Sequence, residues 1–454
     1  MDMRGIWIAV LVFACQGVLA AGQVHEYRLK NGLKLIVRED HRAPVVVTQV
    51  WYKVGATYEH DGITGVSHVL EHMMFKGTRK HGPGEFSRII SENGGRQNAF
   101  TSADYTTYFE SLEKSRLPVS FELEADRMRH LNLTEKEFRK ELKVVMEERR
   151  MRTDDKPTAF TFEQFNATAY TSSSNRIPTI GWMDDLENIT LADLQAWYKR
   201  WYAPNNAIVV VVGDVKPAAV LKLAKQYFGP LKPERIVPPK PRLEPEQEGP
   251  RRISVRQPAE VPYLIMGYKV PVLKTATVDW EPYALEVLAG ILDGGDSARL
   301  ARELIRGSQV ASSAGASYSL YDRQSSLFLF DGMPSSVHSI EDLRQALQEQ
   351  ITRLQKEPVT TDELARVKAQ VVASNIYEQD SVFYQGMKIG QLEAIGLDWR
   401  LGEDYVKRIK AVTPKQIQAV AQKYLIDKDL TIAVLDPLPI EGQSQQGDGH
   451  ANQE

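Results

Sequence analysis

The chain has 454 residues, 43% of them hydrophobic, and a formal net charge of −3. That length implies two or more domains with enough apolar residues for cores that need no staples, and the weak net charge leaves no basic footprint for nucleic acid. The single cysteine, Cys15, excludes a disulfide framework, and no segment beyond the N-terminus approaches the ~20 apolar residues of a membrane span.

Arg4 precedes a short apolar run, Ile6 to Phe13, which ends in Val18-Leu19-Ala20-Ala21. This reads as a cleavable secretory signal over residues 1–21, cut after Ala20 or Ala21, and hence as an exported protein, periplasmic in a bacterium. A lipoprotein signal using Cys15 is the alternative, which Phe13 suits poorly. Once the signal is removed, the mature chain has neither disulfides nor thiol chemistry.

Tyr27 to Leu29 and Leu33 to Val37 alternate across Asn31-Gly32, a hairpin signal, and the β-branched run Val45 to Val54 is the next strand. It leads into Gly65-Val66-Ser67-His68-Val69-Leu70-Glu71-His72, whose centre reads H-x-x-E-H. On a helix turning ~100° per residue, His68 and His72 share a face and Glu71 lies within about 60° of His68. Two imidazoles one turn apart can share one zinc ion. A catalytic zinc normally has three protein ligands and an open position, where a bound water falls to a pKa of about 7, and Glu71 would take that water's proton. A solvated helix face also carries His and Glu, so the third ligand decides.

Pro83 to Asn93 and Pro118 to Leu131 read as helices. Between them, Gly94-Gly95 stops the first, and Arg96 to Ser102 and Thr106 to Leu112 suit strands. Two readings stand: an internal hairpin, or an edge to which an extended peptide adds as a further strand. Thr134 followed by Glu137 is a capping box, with Leu133 and Phe138 placed as a hydrophobic staple, so a helix starts there. Phe138, Leu142 and Val145 form its inward stripe; Glu141 and Glu148 flank that stripe, while Glu147 points about 180° from Phe138 into solvent. Glu148 is the candidate third ligand.

The Pro-rich stretch 230–250 reads as a linker between a metal-bearing domain, 22–229, and a second domain, 251–440; residues 441–454 read as a disordered tail. The halves echo each other. Ile189 to Leu194 leads through Tyr198 and Tyr202 into the strand Ala207 to Val212, and Val412 to Ile417 leads through Tyr424 into Leu430 to Leu435. The second half has no H-x-x-E-H; an apolar helix around Leu285 to Gly295 stands in its place. The expected fold is α+β, two homologous halves, each a largely antiparallel sheet covered by helices.

His68 to His72 followed by Phe75-Lys76-Gly77-Thr78, with Glu141 and Glu148 about 80 residues downstream, resembles the pitrilysin/insulinase family of zinc peptidases. The length is closest to its mitochondrial-processing-peptidase-like members. Pro178 to Trp182, Tyr202 to Ala207 and Gly213-Asp214-Val215 extend the resemblance over the mature chain; it departs at Tyr170 to Ser174, where relatives more often carry His-Pro, read as a surface-loop change. The resemblance implies a zinc endopeptidase whose halves form a clam-like chamber. One Zn2+ per chain would be held by His68, His72 and Glu148, with Glu71 as base in the attack of zinc-bound water, Glu141 supporting the ligands from behind, and peptide substrate paired at Asn98 and Ala99.

Active relatives also place an Arg, and seven residues on a Tyr, over the substrate. Alignment through Ser297-Ala298-Arg299-Leu300 puts Ile305 and Ser312 there; a shifted register would use Arg302 or Arg306 with Tyr318 or Tyr321. A missing pair implies a heterodimer in which a homologous subunit supplies the Arg and Tyr, in preference to a homodimer. The alternative function is a non-catalytic peptide-binding or scaffold subunit of a two-chain peptidase.

Overall fold

The structure, a computed structural model, describes residues 22–240 and 242–440; the expected signal over 1–21, with Cys15, and the tail 441–454 lie outside the described residues. The first half contains β1 (Val24–Arg28), β2 (Lys34–Glu39), β3 (Val45–Tyr52), α1 (Val66–Met73), α2 (Glu85–Glu92), β4 (Arg96–Thr101) and β5 (Thr106–Glu113). It continues with α3 (Leu117–His130), α4 (Glu135–Arg149), α5 (Pro157–Ala169), α6 (Met183–Asn188), α7 (Leu191–Trp201), β6 (Ala207–Gly213) and α8 (Pro217–Tyr227). The second half contains β7 (Arg251–Pro258), β8 (Tyr263–Val270), α9 (Glu281–Asp293), β9 (Ala311–Ser317), β10 (Ser326–Pro334) and α10 (Ile340–Lys356). It ends with α11 (Thr361–Asp380), α12 (Val382–Ala394), α13 (Leu401–Ala411), α14 (Pro414–Tyr424) and β11 (Leu430–Leu438).

The strands form a six-stranded sheet, β1-β2-β6-β3-β5-β4, and a five-stranded sheet, β7-β11-β8-β10-β9. Each is antiparallel except for one pair, β2 with β6 and β7 with β11, so both are mixed. Without β1 the two orders match strand for strand, α1 follows β3 as α9 follows β8, and α7 enters β6 as α14 enters β11. The repeat read from the sequence is a repeat of topology.

The halves also exchange a helix. β6 reads Ala-Ile-Val-Val-Val-Val-Gly and is buried throughout, because both of its faces are covered. Val209 and Val211 face the core beneath α1, α3, α7 and α8, whereas Ile208, Val210 and Val212 meet Ile389 and Ala394 of α12 from the other half. Reciprocally, Phe165 and Ala169 of α5 pack on Ile265 and Ala433 of the second sheet. A Cβ on Gly390 would lie 2.1 Å from the Trp51 indole, so α12 passes at a distance only glycine permits. Arg323 closes the junction on the polar side, donating to Asp104 Oδ1 at 2.9 Å and to Thr57 Oγ1 at 2.7 Å.

The segment Tyr170 to Ser174, expected as a surface loop, is instead a joint. Tyr170, Ser173 and Ser174 are buried, and the backbone N–H groups of Thr171, Ser172 and Ser173 all donate to the Glu244 carboxylate, at 2.8, 2.9 and 2.9 Å. Burial alone would push the Glu244 carboxyl up; those donors and Lys269 override it and hold it at about 2. Among the described residues, no helix is long and apolar enough to cross a membrane.

Candidate metal centre

The metal-motif helix is fixed at its N-terminus before any of its functional side chains matter. Gly65, at φ +88°, faces Gly181, also at φ +88°, and a Cβ on Gly65 would meet the Ile180 carbonyl oxygen at 2.5 Å. The open N–H groups of the first turn are taken by buried Glu59, whose carboxylate accepts from Gly65 at 2.7 Å and Ser67 at 2.8 Å. Burial pushes the Glu59 carboxyl up to about 7 despite these bonds. Asp185 accepts from the N–H groups of Gly62 and Thr64, so the loop entering α1 is held from both sides.

α4 supplies the facing carboxylates. It starts at Thr134 as expected, the hydroxyl accepting from the Glu137 N–H at 3.4 Å; the reciprocal half of the capping box is not made, because Glu137 faces Lys140. Its wheel puts Glu141 and Glu148 inward, and Glu147 outward: the Glu148 side chain is 17% exposed and that of Glu147 61%. Arg149, next to Glu148, is buried and donates to Glu163 and to the Gly181 carbonyl at 2.8 Å, which bolts the end of α4 to the loop that braces α1.

His68, His72 and Glu148 each offer a ligand atom, and these atoms lie within 4.8 Å of one another. Glu148 Oε2 is 3.4 Å from His72 Nε2 and 3.9 Å from His68 Nε2. The two imidazole planes stand 77° apart with centroids at 4.9 Å. Burial first, then the charges of His72 and Arg152, push the His68 imidazole down to about 3, so it stays neutral and available as a ligand. Two imidazole nitrogens and a carboxylate oxygen at this spacing suit zinc. Behind them, Glu141 Oε2 is 3.4 Å from His72 Nδ1 and Glu141 Oε1 is 2.7 Å from Lys76, an outer partner of the kind that fixes a ligating ring.

Three residues of the site were not among those expected from the sequence. Glu59 is one. Arg152 is another: it stands four residues after Glu148, in the π-helical turn over Arg150–Asp154, and its guanidinium takes the other oxygen of Glu148 at 2.8 Å. The third is Thr101, whose hydroxyl donates to Glu71 Oε2 at 2.5 Å. Burial raises the Glu71 carboxyl and the Thr101 hydroxyl partly offsets the shift. The sequence carried a signal for two of them: Arg152 stands at the i, i+4 spacing of a helical ion pair from Glu148, and strand alternation puts Thr101 on the same face as Ala99.

Asn98 and Ala99 lie on β4, which is an edge strand, and Asn98 is exposed. The second half offers little to this site. Ile305 packs against its own core and Ser312 bonds to the Met333 and Pro334 carbonyls. Arg302 pairs with Glu303, Arg306 bonds the Asp296 carbonyl and the Tyr318 hydroxyl bonds the Pro271 carbonyl, each within the second half. Tyr321 lies against Tyr405, with ring centroids 6.4 Å apart and planes tilted by 48°.

Residues 34–181 match the family model described as insulinase (peptidase family M16), and residues 188–371 match the model of the peptidase M16 inactive domain. The chain belongs to the insulinase, or M16, peptidase family. It is 34% identical over 419 residues to the zinc protease PqqE of Helicobacter pylori, covering 90% of this chain and 92% of that protein. The crystal structure of a protease from Helicobacter pylori superposes with a TM-score of 0.88 at 33% identity, covering 92% of this chain and all of the other. The periplasmic protease PqqL of Escherichia coli shares the fold, with a TM-score of 0.76 at 20% identity over 91% of this chain and 47% of its own.

Proposed function

We propose that the chain is an exported, zinc-dependent endopeptidase that cuts peptides or unfolded segments laid along β4. The observation that carries this reading is the convergence of His68, His72 and Glu148, with Glu71 beside them bonded to the end of an edge strand. One Zn2+ would be held by those three ligands, where, when bound, it supplies Lewis-acid stabilisation of charge developing on the scissile carbonyl. Peptide main chain pairs with the Asn98–Ala99 edge, and Glu71 takes the proton of the attacking water and delivers it to the leaving nitrogen. Glu141 orients His72, and Arg152 holds one oxygen of Glu148 so that the other faces the histidines. The zinc named for PqqE and the family membership support the same reading.

The Arg302, Arg306 and Tyr318 side chains, bonded within the second half, favour a divided site. A homologous subunit would supply oxyanion donors over the cleft, and the two halves of each chain, 22–229 and 251–440 joined by 230–250, would form the chamber walls. The purified mature chain is expected to bind zinc but to digest a peptide library slowly until a homologous subunit lacking H-x-x-E-H is added. High turnover by this chain alone, unaffected by substitution of Ile305 or Ser312, refutes the divided site. Export predicts a mature N-terminus near Ala21 or Gly22 in the mass spectrum of the native protein, and a retained Met1 or a lipid on Cys15 refutes it.

A further inference from the structure

We infer that Thr101 is a positioning residue that ties the Glu71 carboxylate to the strand on which substrate is laid, an inference that rests on the peptidase reading above. β4 is the last strand of its sheet. At its end the Ser102 N–H donates to the Tyr105 carbonyl at 2.9 Å, which sets the phase of the antiparallel ladder between β4 and β5. In such a ladder, residues that exchange bonds with the partner alternate with residues whose N–H and C=O point away. Asn98 and Phe100 therefore pair with β5, and Ala99 and Thr101 present their backbone groups outward. Ala99 bears this out: its N–H is taken at 2.9 Å by the Asn98 side-chain oxygen instead of by β5.

Thr101 is the next outward residue along that edge, and its hydroxyl donates to Glu71 Oε2 at 2.5 Å. A peptide paired at Ala99 and the carboxylate held at Thr101 are thus two residues apart on one strand, about 7 Å at the rise of an antiparallel strand. Glu71 has three side-chain torsions to fix, and its bond to the Thr101 hydroxyl settles them against the substrate edge. Loss of that bond leaves ligands and edge in place but frees the base, so it should act on turnover more than on binding.

The test compares Thr101→Val, which keeps the β-branched volume and removes the donor, with Thr101→Ser, which keeps the donor. Each is assayed as the full chain with zinc and any required second subunit, on the library peptide that the wild type cuts fastest. Thr101→Val should lower kcat on the order of 10-fold or more, with KM within about twofold and zinc per chain unchanged, and Thr101→Ser should recover most of the rate. In a Glu71→Gln background, Thr101→Val should add no further loss. A wild-type kcat in Thr101→Val, an equal loss in Thr101→Ser, a change confined to KM, or an additive loss in the double variant overturns the inference while leaving the peptidase reading intact. A wild type that cuts no peptide under any of these conditions overturns that reading first, and the positioning role with it.

Discussion

Glu71→Gln is expected to lower kcat by at least ~10²-fold while zinc per chain stays at the wild-type level, since general-base catalysis contributes ~10²–10⁴. The amide keeps nearly the same shape and can still accept the Thr101 hydroxyl, so the strand contact survives while the proton acceptor is lost. Glu71 is not among the converging ligand groups, and so the metal has no reason to leave. Stability should not fall either, because burial already disfavours the charged form of this carboxyl and a neutral amide removes that cost. Metal analysis, peptide hydrolysis and thermal unfolding on the same preparation separate these effects. Full activity in the variant would remove Glu71 from the proposed mechanism.

How much of this arrangement was legible depended on how local its causes are. The i, i+4 spacing of His68 and His72 and the wheel of α4 are short-range geometry, and the structure places those side chains as the spacing requires. The repeat of topology was legible from two short helix-to-strand echoes, because each is a continuous stretch of chain. The parallel pair between β2 and β6 joins segments about 170 residues apart, and nothing within either strand marks its partner. The exchange of α5 and α12 is likewise tertiary: their apolar faces read as ordinary inward stripes, and only packing says whose sheet they meet. Arg152 was legible in the same way as the histidine pair, since it stands four residues after Glu148, a spacing at which side chains on a helix meet. The joint at Tyr170 to Ser174 was misread because its anchor, Glu244, lies in the supposed linker.

Glu148→Ala and Glu147→Ala, neighbours in sequence, are expected to part company completely. Glu148 Oε2 faces both imidazoles, and its removal leaves two nitrogens without the third ligand that a catalytic zinc site needs. Loss of an outer-shell partner costs ~10–100-fold in metal affinity, so loss of the carboxylate itself should cost at least that much, and zinc per chain after dialysis should fall accordingly. His68→Ala and His72→Ala should behave in the same way. Glu147 pairs at the surface with Arg150 at 3.0 Å, and exposed pairs of this kind contribute ~0–1 kcal/mol, so Glu147→Ala should retain zinc, turnover and thermal midpoint. Competition with a chelator of known affinity measures all four variants on one scale. Equal metal loss from Glu147→Ala and Glu148→Ala would mean that the inward face of α4 is not the metal-bearing face, and the Glu141 and Arg152 contacts would then lose their assigned roles as well.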